Sequence, residues 1–135
     1  MKGDFPTPSV GTLEQNLSQR IKALYLEQLG HNPDKVECRL TNQTLTIIVD
    51  NPITQPEQLL LKSGKQEFAD LVRSTIHKAF QPQIKALIEE VFATHVLDLL
   101  GDSKIQTGRT SIVAVLADSP SLVNQQMPFD TDNDK

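Results

Sequence analysis

The chain has 135 residues, enough for one domain with its own core and too few for two. With no Trp, one Tyr and a formal net charge of -4, it lacks the basic, aromatic-bearing face of a nucleic-acid binder. Its longest apolar run, Ile112 to Ala117, has six residues against the roughly 20 that span a bilayer, so no transmembrane segment is expected.

The single cysteine, Cys38, excludes an internal disulfide, and the start, Met1-Lys2-Gly3-Asp4-Phe5-Pro6, lacks the apolar stretch of a secretory signal. A reducing, cytoplasmic location is the expectation. The charge is uneven, since four aspartates against Lys135 leave -3 after Ala117 while residues 1–11 sum to zero. Residues 12–117 are near neutral and are expected to form one domain. Residues 1–11 are expected to be a flexible tail and 118–135 a disordered acidic one, both poor in apolar side chains to offset the entropy of ordering.

In chain order, Thr12-Leu13-Glu14-Gln15 has the form of a capping box, and Leu13, Leu17, Ile21, Leu24 and Leu29 follow at helical spacing. Gly30 stands where a left-handed cap belongs, which predicts a helix over 13–29. Val36, Cys38 and Leu40 then alternate with polar residues, as do Leu45, Ile47 and Val49. A two-residue turn at Asn42-Gln43 sets Leu40 against Leu45, Cys38 against Ile47 and Val36 against Val49. A slip of one residue would place threonines on that face, so the pattern selects the register.

Pro52 ends the second strand, and Thr54-Gln55-Pro56-Glu57 repeats the capping-box form, so 50–57 reads as a corner that opens a short helix ending at Ser63-Gly64. A stripe of Phe68, Leu71, Val72, Ile76 and Phe80 continues through Ile84, Ile88 and Phe92. Pro82 within it predicts two helices in line, 65–80 and 82–93, with a kink between them. His95–Leu100 and Ser111–Ala117 read as strands joined by a loop that contains Gly101, Asp102, Ser103, Thr107 and Gly108. The expected fold is α+β, helix-hairpin-helices-hairpin (αββααββ), with a four-stranded antiparallel sheet and helices packed mainly on one face. Each half is a helix followed by two strands, a faint structural duplication.

Catalytic and metal chemistry find little support. His31, His77 and His95 are too dispersed for a metal or triad spacing, and His77 reads as part of a solvated helix face. His95 and Asp98, three apart on a strand, point to opposite faces. Asp98 shares the face of Val96 and Leu100, as either a buried carboxylate or a solvated edge acid. Asp50 and Glu57 have neither a His nor a nucleophile near them in sequence, so the corner reading is preferred to acid-base chemistry. Cys38 faces the core as an inert small hydrophobe. No catalytic, cofactor or metal residue is assigned. Lys104 and Arg109 are candidate anion contacts on the last loop. The final strand is apolar on both sides, so Val113 and Val115, with Ile48, form a candidate interface on the sheet's second face.

Leu24-Tyr25 with Gly30 and Pro33, the apolar second strand, Thr54 with Glu57, Leu71-Val72-Arg73 and Phe80-Gln81-Pro82 together resemble a bacterial family. That family is named after the C component of a sodium-translocating, membrane-potential-generating system (MpsC-like), and the likeness covers about residues 12–117. The chain departs from it at Asn51-Pro52 and Ala93-Thr94, where members carry Gly. The resemblance brings no catalytic residues and implies an accessory role beside a membrane ion or inorganic-carbon transport system. The expectation is a non-enzymatic cytoplasmic accessory or regulatory protein that contacts other chains and forms a homo-oligomer. The alternative is a small-ligand or anion sensor.

Overall fold

The computed structural model describes residues 8–119. The elements run α1 (Val10–Leu29), β1 (Lys35–Thr41), β2 (Thr44–Asp50), α2 (Gln55–Lys62), α3 (Gln66–Phe92), β3 (Val96–Lys104) and β4 (Arg109–Leu116). The four strands form one antiparallel sheet in the order β1-β2-β4-β3, and the fold is α+β. Residues 1–7 and 120–135, most of both expected tails, lie outside the described residues.

The first hairpin has the register that its alternation selects: Leu40 opposite Leu45, Cys38 opposite Ile47, Val36 opposite Val49. Asn42 makes the turn with φ 57, a left-handed conformation that Asn tolerates better than most residues. Helix α1 begins at Val10, earlier than the Thr12 box implies, because Ser9 supplies the cap. Its hydroxyl accepts from the Thr12 N–H at 3.1 Å, and Thr12 becomes a first-turn residue. The second box is present as read: Thr54 Oγ1 accepts from Glu57 N–H at 3.3 Å and Glu57 Oε1 from Thr54 N–H at 2.8 Å.

Pro82 does not divide the long helix. Residues 66–92 are one α-helix with Pro82 inside it. Proline in a helix interior costs about 3 kcal/mol, whereas burying one large apolar side chain is worth about 1.5–3 kcal/mol. Phe80, Ile84 and Ile88 are buried around Pro82, so continuity wins.

The apolar stripe also turns at the N-terminal end of α3. Phe68 and Leu71 are 53% and 58% exposed, while Ala69, Arg73 and His77 are buried. The last hairpin is tighter than its composition implies, for Gly101 to Lys104 belong to β3 and only residues 105–108 turn. A Cβ on Gly101 would stand 2.5 Å from the Ser111 carbonyl oxygen, so a side chain is excluded there.

The core joins Leu17 and Ile21 of α1 to Ile84 and Ile88 of α3 and to Ile47 and Ile112 at the sheet's centre. Cys38 is buried beside the Ser18 hydroxyl at 3.4 Å, and burial pushes its thiol up to about 11, which suits an inert core residue. Each edge strand is tied to its own helix by a carboxylate: Glu14 accepts from Leu40 N–H at 2.7 Å, and Glu89 from Val96 N–H at 2.8 Å.

Candidate functional site

Two features stand out, a buried polar cluster at one end of the sheet and a sheet face without cover. The cluster starts from the corner after β2. The capping box fixes Glu57 on the first turn of α2, and one face of α3 brings Arg73 to it. Arg73 Nε donates to Glu57 Oε2 at 3.0 Å and Nη2 to Oε1 at 3.2 Å, with both side chains 4% exposed. Nη2 also donates to the carbonyls of Asn51 at 2.9 Å and Pro52 at 3.3 Å. The guanidinium thus ties the corner, α2 and α3 together.

Burial alone would raise the Glu57 carboxyl, but the hydrogen bonds and charge of Arg73, with the Thr54 N–H, outweigh it and hold the group below its ordinary value. Ser103 and Thr110, paired across β3 and β4, close the cluster with their hydroxyls 2.7 Å apart. His31 meets Asn51 Oδ1 at 2.9 Å, and Asn51 N–H donates to the Gly108 carbonyl at 2.7 Å. A Cβ on Gly108 would lie 3.0 Å from the Asn51 carbonyl oxygen, a tight contact, and φ 72 is itself a conformation that favours glycine.

His77, one helical turn beyond Arg73, is buried rather than solvated. Burial lowers its pKa, against the opposing pull of the Gly101 backbone and the Asp102 carboxylate, and Lys78 lowers it further. Its Nδ1 makes no well-formed hydrogen bond among the described residues. Tyr25 lies at the same end, its hydroxyl pKa raised by burial, and packs edge-on against Phe80 at 5.0 Å. The cavity among these groups has a volume of about 30 Å³, room for a water and little else. Every oxygen of Glu57 and the inner edge of Arg73 are committed to each other and to backbone. Glu57 and Arg73 hold a corner in place and neutralise each other, and His77 beside them keeps an Nδ1 without a well-formed hydrogen bond among the described residues.

The sequence places Glu57 in its cap but gives Arg73 no role and sets His77 on a solvated helix face. The signal was available: 73, 77, 80, 84 and 88 fall on one helical stripe, in phase with the buried Phe80, Ile84 and Ile88. Two polar residues in phase with a core stripe need buried partners.

The other sequence candidates are dispersed. His95 and Asp98 are both exposed, and His95 has Glu89 3.9 Å away. Asp98 does not share a face with Val96. A bulge at Leu97 sets Val96 opposite Leu116, facing the core, and Asp98 opposite Val115, facing outward. Lys104 and Arg109 are cross-strand partners, and Arg109 Nε already donates to Asp50 at 3.2 Å. Among the described residues no three His, Cys, Asp or Glu side chains gather as metal ligands.

The uncovered face carries Ile48, Val113 and Val115, with Leu100 beside Val113 in the register. Leu100 is 63% exposed, Val113 37% and the bulged Leu97 62%, while Ile48 and Val115 are half-buried. On the opposite side of the same strands Ile47, Ile112, Ala114 and Leu116 are fully buried.

The family model described as MpsC, Na+-translocating membrane potential-generating system, matches residues 9–118, a span that holds every helix and strand. The chain belongs to the MpsC family. No curated protein matches the chain, and no solved structure does. No helix among the described residues is long and apolar enough to cross a membrane.

Proposed function

We propose that the chain is a non-enzymatic accessory protein that works through protein–protein contacts, on the cytoplasmic side of a membrane ion or inorganic-carbon transport system. The observation that carries this reading is the uncovered sheet face, where Leu97, Leu100 and Val113 stand in water on strands whose other side is packed. The family description supplies the setting, a sodium-translocating system that generates a membrane potential. The buried cluster supports the same reading, because its ionisable pair is sealed and self-neutralised. An anion at Lys104 and Arg109 would compete with Asp50 for the guanidinium, which makes the sensor reading the weaker one.

The test is complementation. Cells that carry the matching membrane system and lack this chain are supplied with wild type, Leu100→Asp or Val113→Asp, and the membrane potential is read with a voltage-sensitive dye. Both variants should fold, as their side chains leave the core untouched, and both should fail to restore the potential and to co-purify with the system's membrane subunits. Full restoration by both would overturn the proposal.

A further inference from the structure

We infer that the uncovered sheet face closes on a second copy of this chain, sheet against sheet, about a two-fold axis that runs across the strands. The inference rests on the reading above that this face docks protein, and names the partner. The strand register orders the outward residues into four rows across β1, β2, β4 and β3. The first is Lys35, Asp50, Arg109, Lys104, and the second is Glu37, Ile48, Ser111, Asp102. The third is Arg39, Thr46, Val113, Leu100, and the fourth is Thr41, Thr44, Val115, Asp98.

Asp50 and Arg109 neutralise each other, and on β1 Glu37 lies 3.1 Å from Arg39 and 3.9 Å from Lys35, so among the described residues Lys104 of the first row and Asp102 of the second are the charges without an ion pair. Two face-to-face dyads are available to such a sheet. An axis parallel to the strands lays β1 over β3 of the copy and keeps each row on itself. Lys35 then meets Lys104 and Glu37 meets Asp102, four like-charge contacts in a closed interface, each costly. An axis across the strands lays each strand over itself, reversed, with the first row on the fourth and the second on the third. Glu37, paired with Arg39 in its own chain, then meets Arg39 of the copy twice, Lys104 meets Asp98 twice and Asp102 meets Leu100 twice, while Ile48 and Val113 stand beside the axis with Thr46 and Ser111.

Outward charges lie on β1, on β3 and at the Asp50–Arg109 end, and the apolar residues Ile48, Val113, Val115 and Leu100 run across β2, β4 and β3. That is the layout of a protein interface, with an apolar centre and a charged rim. Sheets packed in this way lie about 10 Å apart with strands within about 30° of one another, a gap that the long Glu, Arg and Lys side chains bridge.

The test uses the full chain and sedimentation equilibrium. Arg39→Glu faces two acids against each other and should weaken the dimer by about tenfold or more, the effect of roughly 1.4 kcal/mol. The double variant Glu37→Arg with Arg39→Glu exchanges the two signs and should restore wild-type association, since each residue meets the other across the dyad. Asp98→Lys with Lys104→Asp should behave likewise relative to Lys104→Asp alone. All four positions are at the surface, so unchanged circular dichroism checks the fold. A wild-type chain that stays monomeric at millimolar concentration would overturn the inference while the complementation experiment still decides the accessory role. A dimer indifferent to Arg39→Glu, or not rescued by the exchange, would also overturn it.

Discussion

The molecule is built twice from a helix and a hairpin, and the two copies differ where it matters. The β2–β4 ladder pairs Ile47 with Ile112 at its centre, so a rotation about that point carries Leu45 onto Thr110 and Val49 onto Ala114. Through the hairpin registers it also carries Leu40 onto Ser103 and Cys38 onto Gly101. Under α1 the inner row therefore reads Cys38, Leu40, Leu45, all packed. Under α3 the same places hold Gly101, Ser103 and Thr110, beneath His77 and Arg73. The half that follows α2 has the longer helix and a polar corner where the other half has an apolar one. Among the described residues the buried ion pair, Glu57 with Arg73, lies beside the element that breaks the duplication.

That contrast can be broken most forcefully at the ion pair. Arg73→Met leaves the Glu57 carboxylate buried without its partner and should cost about 3–5 kcal/mol in urea unfolding. Replacing both members by apolar residues should cost much less than the two single losses combined. Next come the equivalent positions of the two halves. Leu45→Ala should cost about 2–5 kcal/mol as a cavity in a dry core. Thr110→Ala should cost about 1–2 kcal/mol, the loss of one hydrogen bond.

The polar half also makes stability depend on pH. The His77 pKa is lowered from 6.5, so below pH 6.5 the unfolded chain takes up a proton that the native one resists, and stability falls as the medium is acidified. Glu57, lowered from 4.5, contributes stability above that value that is lost as pH falls through its folded pKa. His77→Leu should flatten the decline just below pH 6.5, and Glu57→Gln the steeper one below 4.5.

Smaller effects sharpen the comparison at the helix ends. Thr54→Ala removes the cap that aims Glu57 and should cost about 1 kcal/mol. Helix α1 ends at Gly30 with φ 83, and α3 ends at the equivalent Ala93 with φ 56. Glycine takes such angles freely and alanine does not. Ala93→Gly should raise stability by about 0.5–1 kcal/mol and Gly30→Ala should lower it by a similar amount, read from shifts of the denaturation midpoint.

How far the sequence speaks follows the same division. The first hairpin was legible to the residue because period-two alternation of Val36, Cys38 and Leu40 with polar neighbours leaves one register. The caps at Thr54 and Gly30 were legible because backbone groups dictate them. The extent of β3 and β4 was not. Ser103 and Thr110 face inward as a mutually satisfied pair, so the alternation that marks a strand is absent there. Arg73 and His77 escaped because polarity was read as exposure. Their phase on the helix pointed inward, but only the corner at Asn51 and Pro52, brought up by the fold, shows what would receive them. Asp98 shares the face of Leu100 as its spacing implies but not that of Val96, since a bulge adds one residue that no pattern announces.

The seam between the halves has a further consequence. Each helix and its hairpin are contiguous in the chain and can form early, whereas Asp50 reaches Arg109 only after the intervening helices have folded back. Until then β2 and β4 are bare edges with identical needs, and the β4 of a neighbouring molecule satisfies β2 as well as its own. Crowded nascent chains can therefore trade halves and emerge as intertwined pairs, and dilution during refolding is the condition that favours the self-contained form.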